Sequence, residues 1–259
     1  MTASASDSQT GALGRPPAAD LGRHLPAAAG LLALAGVAWW LSAGRMQGMD
    51  MPGMGLGSLG WFAATWVLMM AAMMLPAVAP AVVSTCFTRR TSPRAVPAAA
   101  AFLLGYLAVW ALAGVAVWLV LDAGRALAGG ALEWRHSGRW LASAILGAAV
   151  VYQLSATKRR WLVRCRAPLT RPDGRPVRDL AQGGRAGLHA GLRCLASSWA
   201  LMAVLFALGA MSLVWMGVVA VLIIAERLAP LTWPARGAAA GVLLMLAVAV
   251  AAVPGALPG

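Results

Sequence analysis

Of 259 residues, 61% are hydrophobic and only 11% charged, against about 25% charged in an average soluble domain, which excludes an ordinary water-soluble globule. Lys and Arg number 21 against eight Asp and Glu, a formal net charge of +13, yet they gather in particular loops, so membrane orientation accounts for them and a nucleic-acid partner is excluded. The three cysteines, Cys86, Cys165 and Cys194, form no CxxC pair, which excludes a zinc ribbon and a disulfide framework.

Met1 to His24 is small, polar and Pro-containing, with too little apolar surface to offset the entropy of ordering, and reads as a disordered tail. Leu25 to Ala43 follows as a first span ending in Trp39 and Trp40; it lies too far from Met1 and is too long for a signal-peptide core. Arg45 to Gly57 then reads RMQGMDMPGMGLG, where Met46, Met49, Met51 and Met54 recur among Gly, Pro and Asp50. Thioethers at that spacing suit two- or three-coordinate Cu(I), a soft ion that prefers sulfur to oxygen. A Met-rich loop can equally rest on lipid.

A second span from about Leu59 to Val83 contains MMAAMMLPAVAP, placing Met69 with Met73 and Met70 with Met74 on adjoining faces of one helix, ahead of Pro76 and Pro80. Met at these positions is either soft ligand or core filler. Arg89, Arg90 and Arg94 make a short basic loop before a third span, Val96 to Leu121, with Tyr106 and Trp110 one turn apart. A mixed loop with Glu133 and His136 leads to a fourth span, Arg139 to Thr157.

The most basic segment is next, with nine Lys or Arg from Lys158 to Arg185, and residues 158–187 are expected as a cytoplasmic loop. A fifth span starts near Leu188 and a sixth ends near Leu228, with a tight turn around Gly209 and Ala210; an unbroken helix from Gly191 to Glu226 would run about 54 Å, well beyond a hydrocarbon core. Glu226 and Arg227 at that end read as snorkelling residues. A last span covers Gly237 to Val253.

The expected fold is therefore all-α, a polytopic transmembrane helix bundle of about six or seven spans over residues 25–254, between tails 1–24 and 255–259. Positive loops place it in the bacterial inner (cytoplasmic) membrane with the N-terminus in the cytoplasm and the Met46 to Met54 loop outside.

The segments MMAAMMLPAVAP, GYLAVW, YQLSATKRRWLVRCRAP, GLHAGLRCLASSWALMAVLFALGAMSLVWM and AERLAP, in this order, resemble the bacterial DUF2182 family of metal-binding integral membrane proteins. The resemblance covers most of the chain after the first span and marks Met69, Met70, Met73, Met74, Pro76, Lys158, Cys165, Arg166, Pro168, Gly191, Cys194, Trp199, Met202, Met211, Met216 and Glu226. Family members commonly carry a cysteine where this chain has Trp161 and a cysteine pair where it has Ser197 and Ser198. Serine is a poor ligand for a soft metal, so a thiolate-rich site is depleted here.

Two functions remain open at this level. One is copper handling, in which Met46, Met49, Met51, Met54, Met69, Met70, Met73, Met74, Cys165, Cys194, Met202 and Met211 hold or pass Cu(I). The other is an accessory subunit of a larger membrane complex, or a homo-oligomer, whose Met residues pack helices and whose many Gly and Ala allow close approach to a membrane protein partner. An enzyme is not expected, since HExxH, GxSxG and phosphate-loop motifs are missing and His24, His136 and His189 are scattered.

Overall fold

Inside a bilayer each backbone amide needs a partner within its own segment, and the apolar runs meet that demand as helices. The structure, a computed structural model, describes residues 18–46, 58–87, 95–128, 134–166, 177, 179–208, 213–228 and 233–252. The described residues form eight helices: α1 (Ala18–Met46), α2 (Leu59–Cys86), α3 (Ala95–Ala128), α4 (Trp134–Leu154), α5 (Ala156–Arg166), α6 (Leu180–Leu208), α7 (Leu213–Leu228) and α8 (Trp233–Ala252). Four of these contain stretches long and apolar enough to cross a membrane, Leu25–Arg45, Leu59–Cys86, Ala95–Gly124 and Leu180–Leu205. The protein is thus an all-helical, multi-pass membrane protein.

Seven of the eight helices overlap the stretches expected as spans, and α6 and α7 are separate elements, the turn expected around Gly209 and Ala210 lying outside the described residues. Several boundaries differ from expectation. Helix α3 runs on to Ala128 and α4 already begins at Trp134, so His136, expected in the mixed loop, lies in a helix. Ala18 to His24, assigned to the tail by composition, already belongs to α1. The basic stretch expected as a loop over 158–187 contains α5 and the first turns of α6. Local chemistry explains α5: Ser155 interrupts the helical run, and its hydroxyl accepts from the Lys158 amide at 3.1 Å, capping the new helix. The Ser58 hydroxyl likewise accepts from the Trp61 amide at 3.3 Å at the start of α2.

Helix α2 lies at the centre, packed against α1, α3 and α7, and Met69, Met70, Met73 and Met74 are all buried in the core along it. Pro76 and Pro80 do not end it, for α2 continues to Cys86; a membrane helix tolerates the lost amide because neighbours serve the freed carbonyls. The indole of Trp66 ties α2 to α3 by donating to the Trp110 carbonyl at 2.8 Å.

The most extensive contact joins α3 and α6. Gly183, Gly187 and Gly191 recur every four residues and present one bare ridge of α6. A Cβ on Gly187 would lie 1.9 Å from the Phe102 carbonyl oxygen, and one on Gly105 would lie 2.4 Å from that of Gly184. The two backbones pass so closely that any side chain at Gly187 would hold them apart, and this approach brings Tyr106 of α3 against Cys194 of α6.

Candidate metal centre

Cys194 sits on α6 fully buried, facing α2, α3 and α7. Its sulfur has three neighbours from those three helices. The Tyr106 hydroxyl donates to Sγ at 3.0 Å. The Arg227 guanidinium donates through Nη2 at 2.6 Å. The Met74 Sδ lies 3.9 Å away. Two sulfurs at that separation can touch one ion together, because a metal–thiolate bond of about 2.3 Å, doubled, exceeds the gap.

Cys165, on α5 outside the spanning helices, approaches the same place, because α5 packs on α6. Burial pushes the Cys165 thiol up from its ordinary range, against the pull of the Arg227 guanidinium and a hydrogen bond with Ser197. The centre therefore has one buried thiol, one buried thioether and a second thiol within electrostatic reach. Ser197 and Ser198 are buried too, and their hydroxyls donate back to the Cys194 carbonyl at 2.9 and 2.8 Å. That bonding directs each hydroxyl proton to the backbone. At the third departure from the family, the Trp161 ring carries the Arg164 guanidinium 5.0 Å from its centroid.

The other expected ligands are distributed elsewhere. Met202 lies two turns beyond Cys194 on α6, about 12 Å along the axis, too far to share an ion with it. Met69, Met70 and Met73 line the core on α2 around Met74. Met46 closes α1, with its side chain outside the described residues, and Met49, Met51, Met54 and Met211 also lie outside them. His189 is exposed, whereas Cys194 is buried, so the two do not converge. Among the described residues no group of three or more His, Cys, Asp or Glu gathers into a metal-binding cluster.

Beside the sulfur centre lies a charge network that the sequence reading misjudged. Glu226 and Arg227 turn into the bundle instead of snorkelling to the surface. The Lys158 ammonium, 3% exposed, meets both Glu226 carboxylate oxygens at 2.8 Å, and Gln153 bonds to both residues. Lys158 comes from α5 and Gln153 from α4, so the network ties α4, α5 and α7 together. The signal was present as an acid within a membrane-facing run, a position that usually has an interior partner; the partner, Lys158, lay hidden in the basic stretch.

Neither a curated protein nor a solved structure matches the chain. Residues 63–251, covering α2 to α8, match the family model of PpoB2, described as a copper chaperone and formerly named DUF2182. The chain belongs to the PpoB2 copper chaperone family.

Proposed function

We propose that this membrane protein holds one Cu(I) between Cys194 and Met74, with Cys165 as a third donor. The observation that carries the reading is the 3.9 Å approach of a buried thiol to a buried thioether across α6 and α2. Thiol and thioether together are soft donors, and their burial suits an ion that needs few ligands. Met69, Met70, Met73 and Met202 act chiefly as the polarizable filler of the core.

In the bilayer, α4, α7 and α8 join the four long spans to make seven crossings, with the N-terminus and the basic 158–185 region in the cytoplasm of a bacterial inner membrane. Met46, Met49, Met51 and Met54 then face outward and collect Cu(I), which moves inward from weaker thioethers to the thiols.

The test is copper retained by purified protein after Cu(I) loading and desalting. Cys194→Ser should remove most of it at normal folded yield. Copper equal to wild type in that variant would remove the centre from the function.

A further inference from the structure

We propose that the Arg227 guanidinium sets the charge selectivity of the sulfur centre, admitting a soft monovalent cation and opposing a divalent one; the inference rests on the copper-binding reading above. Sulfur donors alone do not make this distinction, since thiolates also bind divalent zinc tightly. A fixed positive charge does.

Arg227 is moored on two sides. Its Nη2 donates to Cys194 Sγ at 2.6 Å and its Nη1 to the Ala77 carbonyl at 3.4 Å, in the turn between Pro76 and Pro80. A guanidinium does not shed its proton in a protein, so this charge is permanent. The neighbouring acid does not cancel it: both oxygens of Glu226 meet the Lys158 ammonium at 2.8 Å. Arg193 adds further positive charge within electrostatic reach of Cys165.

An ion seated between Cys194 and Met74 therefore meets a standing cation at close range. At about 4 Å and an effective dielectric of about 20, each additional unit of positive charge lowers affinity on the order of 100- to 1000-fold. A monovalent ion bears that repulsion once, and the bond to the thiolate outweighs it. A divalent ion bears it twice, which offsets the doubled attraction that a single thiolate would otherwise give it.

The experiment titrates the full chain in detergent with Ag(I), a redox-stable soft monovalent probe, and with Cd(II), a soft divalent one. Wild type should bind Ag(I) in a Cys194-dependent way and Cd(II) at least 100-fold more weakly. Arg227→Gln and Arg227→Met should each shift the ratio at least tenfold toward Cd(II), with growth of the ultraviolet sulfur-to-cadmium charge-transfer band, while Arg227→Lys keeps the wild-type ratio. Equal changes for both ions in the neutral variants, or a lysine variant that behaves like glutamine, would overturn the assignment and leave the copper reading standing. If neither neutral variant is recovered folded, wild type decides: Cd(II) bound as tightly as Ag(I) overturns the inference. Ag(I) binding unchanged in Cys194→Ser would instead overturn the copper reading, and this inference with it.

Discussion

The Tyr106 hydroxyl donates to Cys194 Sγ at 3.0 Å across a helix contact so close that a carbonyl of α3 occupies the space a side chain at Gly187 would need. The phenol therefore stands on the sulfur a metal would use, and it is the mildest of the three groups around that sulfur. Tyr106→Phe keeps the ring and loses one hydrogen bond, so thermal unfolding in detergent should show a loss of about 1 kcal/mol. Its Ag(I) affinity should stay within about tenfold of wild type, as expected if one bond near 1 kcal/mol is all that changes.

The glycine ridge gives a sharper test of the fold. Gly187→Ala places a methyl against the Phe102 carbonyl, and separating two packed backbones costs about 1–3 kcal/mol or more. Gly30→Ala, on α1 with nothing within 4 Å of the added carbon, should be neutral or slightly stabilising, as for Gly to Ala in a helix. Melting temperatures of the two variants side by side check this, and equal melting would deny the close α3 and α6 contact.

Four methionines on α2 look alike by composition, yet Met74 is the one placed against Cys194. Replacement by Leu nearly conserves volume and should cost less than about 1.5 kcal/mol at any of them. Met74→Leu should also lower Cu(I) affinity by about tenfold, on the premise that a lost soft donor is worth about 1.4 kcal/mol. Met70→Leu should leave affinity unchanged. Competition with a chromophoric Cu(I) chelator reads the difference.

Lys158 and Glu226 form a buried pair, with 3% and 13% of the side chains exposed. Lys158→Met takes the ammonium from the carboxylate, which keeps its Gln153 bond, and should destabilise the protein by about 3 kcal/mol or more. Adding Glu226→Leu removes the uncompensated charge and should restore part of the loss. A double variant no more stable than the single one would show that the pair is not the coupling between α5 and α7.

Orientation can be read independently of metal. In a chain whose other cysteines are replaced by Ser, Asp173→Cys should resist a membrane-impermeant maleimide in intact cells and react after permeabilisation if the surrounding basic stretch is cytoplasmic, as proposed from the positive-inside rule. Reaction in intact cells would reverse the proposed direction of copper movement.

By itself the sequence determined that this is a helical membrane protein, which apolar stretches are helical and that soft sulfur is concentrated in it, because apolar length and residue type are properties of short stretches. The break between α6 and α7 was equally legible, as a length the bilayer cannot hold. The helical character of the basic stretch was not: high charge argued for a loop, while a serine cap and packing on α6 made α5. Only the tertiary structure decided which sulfurs meet. Met74, Tyr106, Cys194 and Arg227 lie on four different helices, and their convergence depends on the rotation of each helix about its axis and on the glycine ridge that lets α3 and α6 approach. Glu226 and Arg227 show the same limit: adjacent at a helix end, they looked able to reach water, and the fold turned one toward Lys158 and the other toward Cys194. A one-dimensional pattern records which groups are costly to bury, while the partner that makes burial tolerable is supplied by another helix.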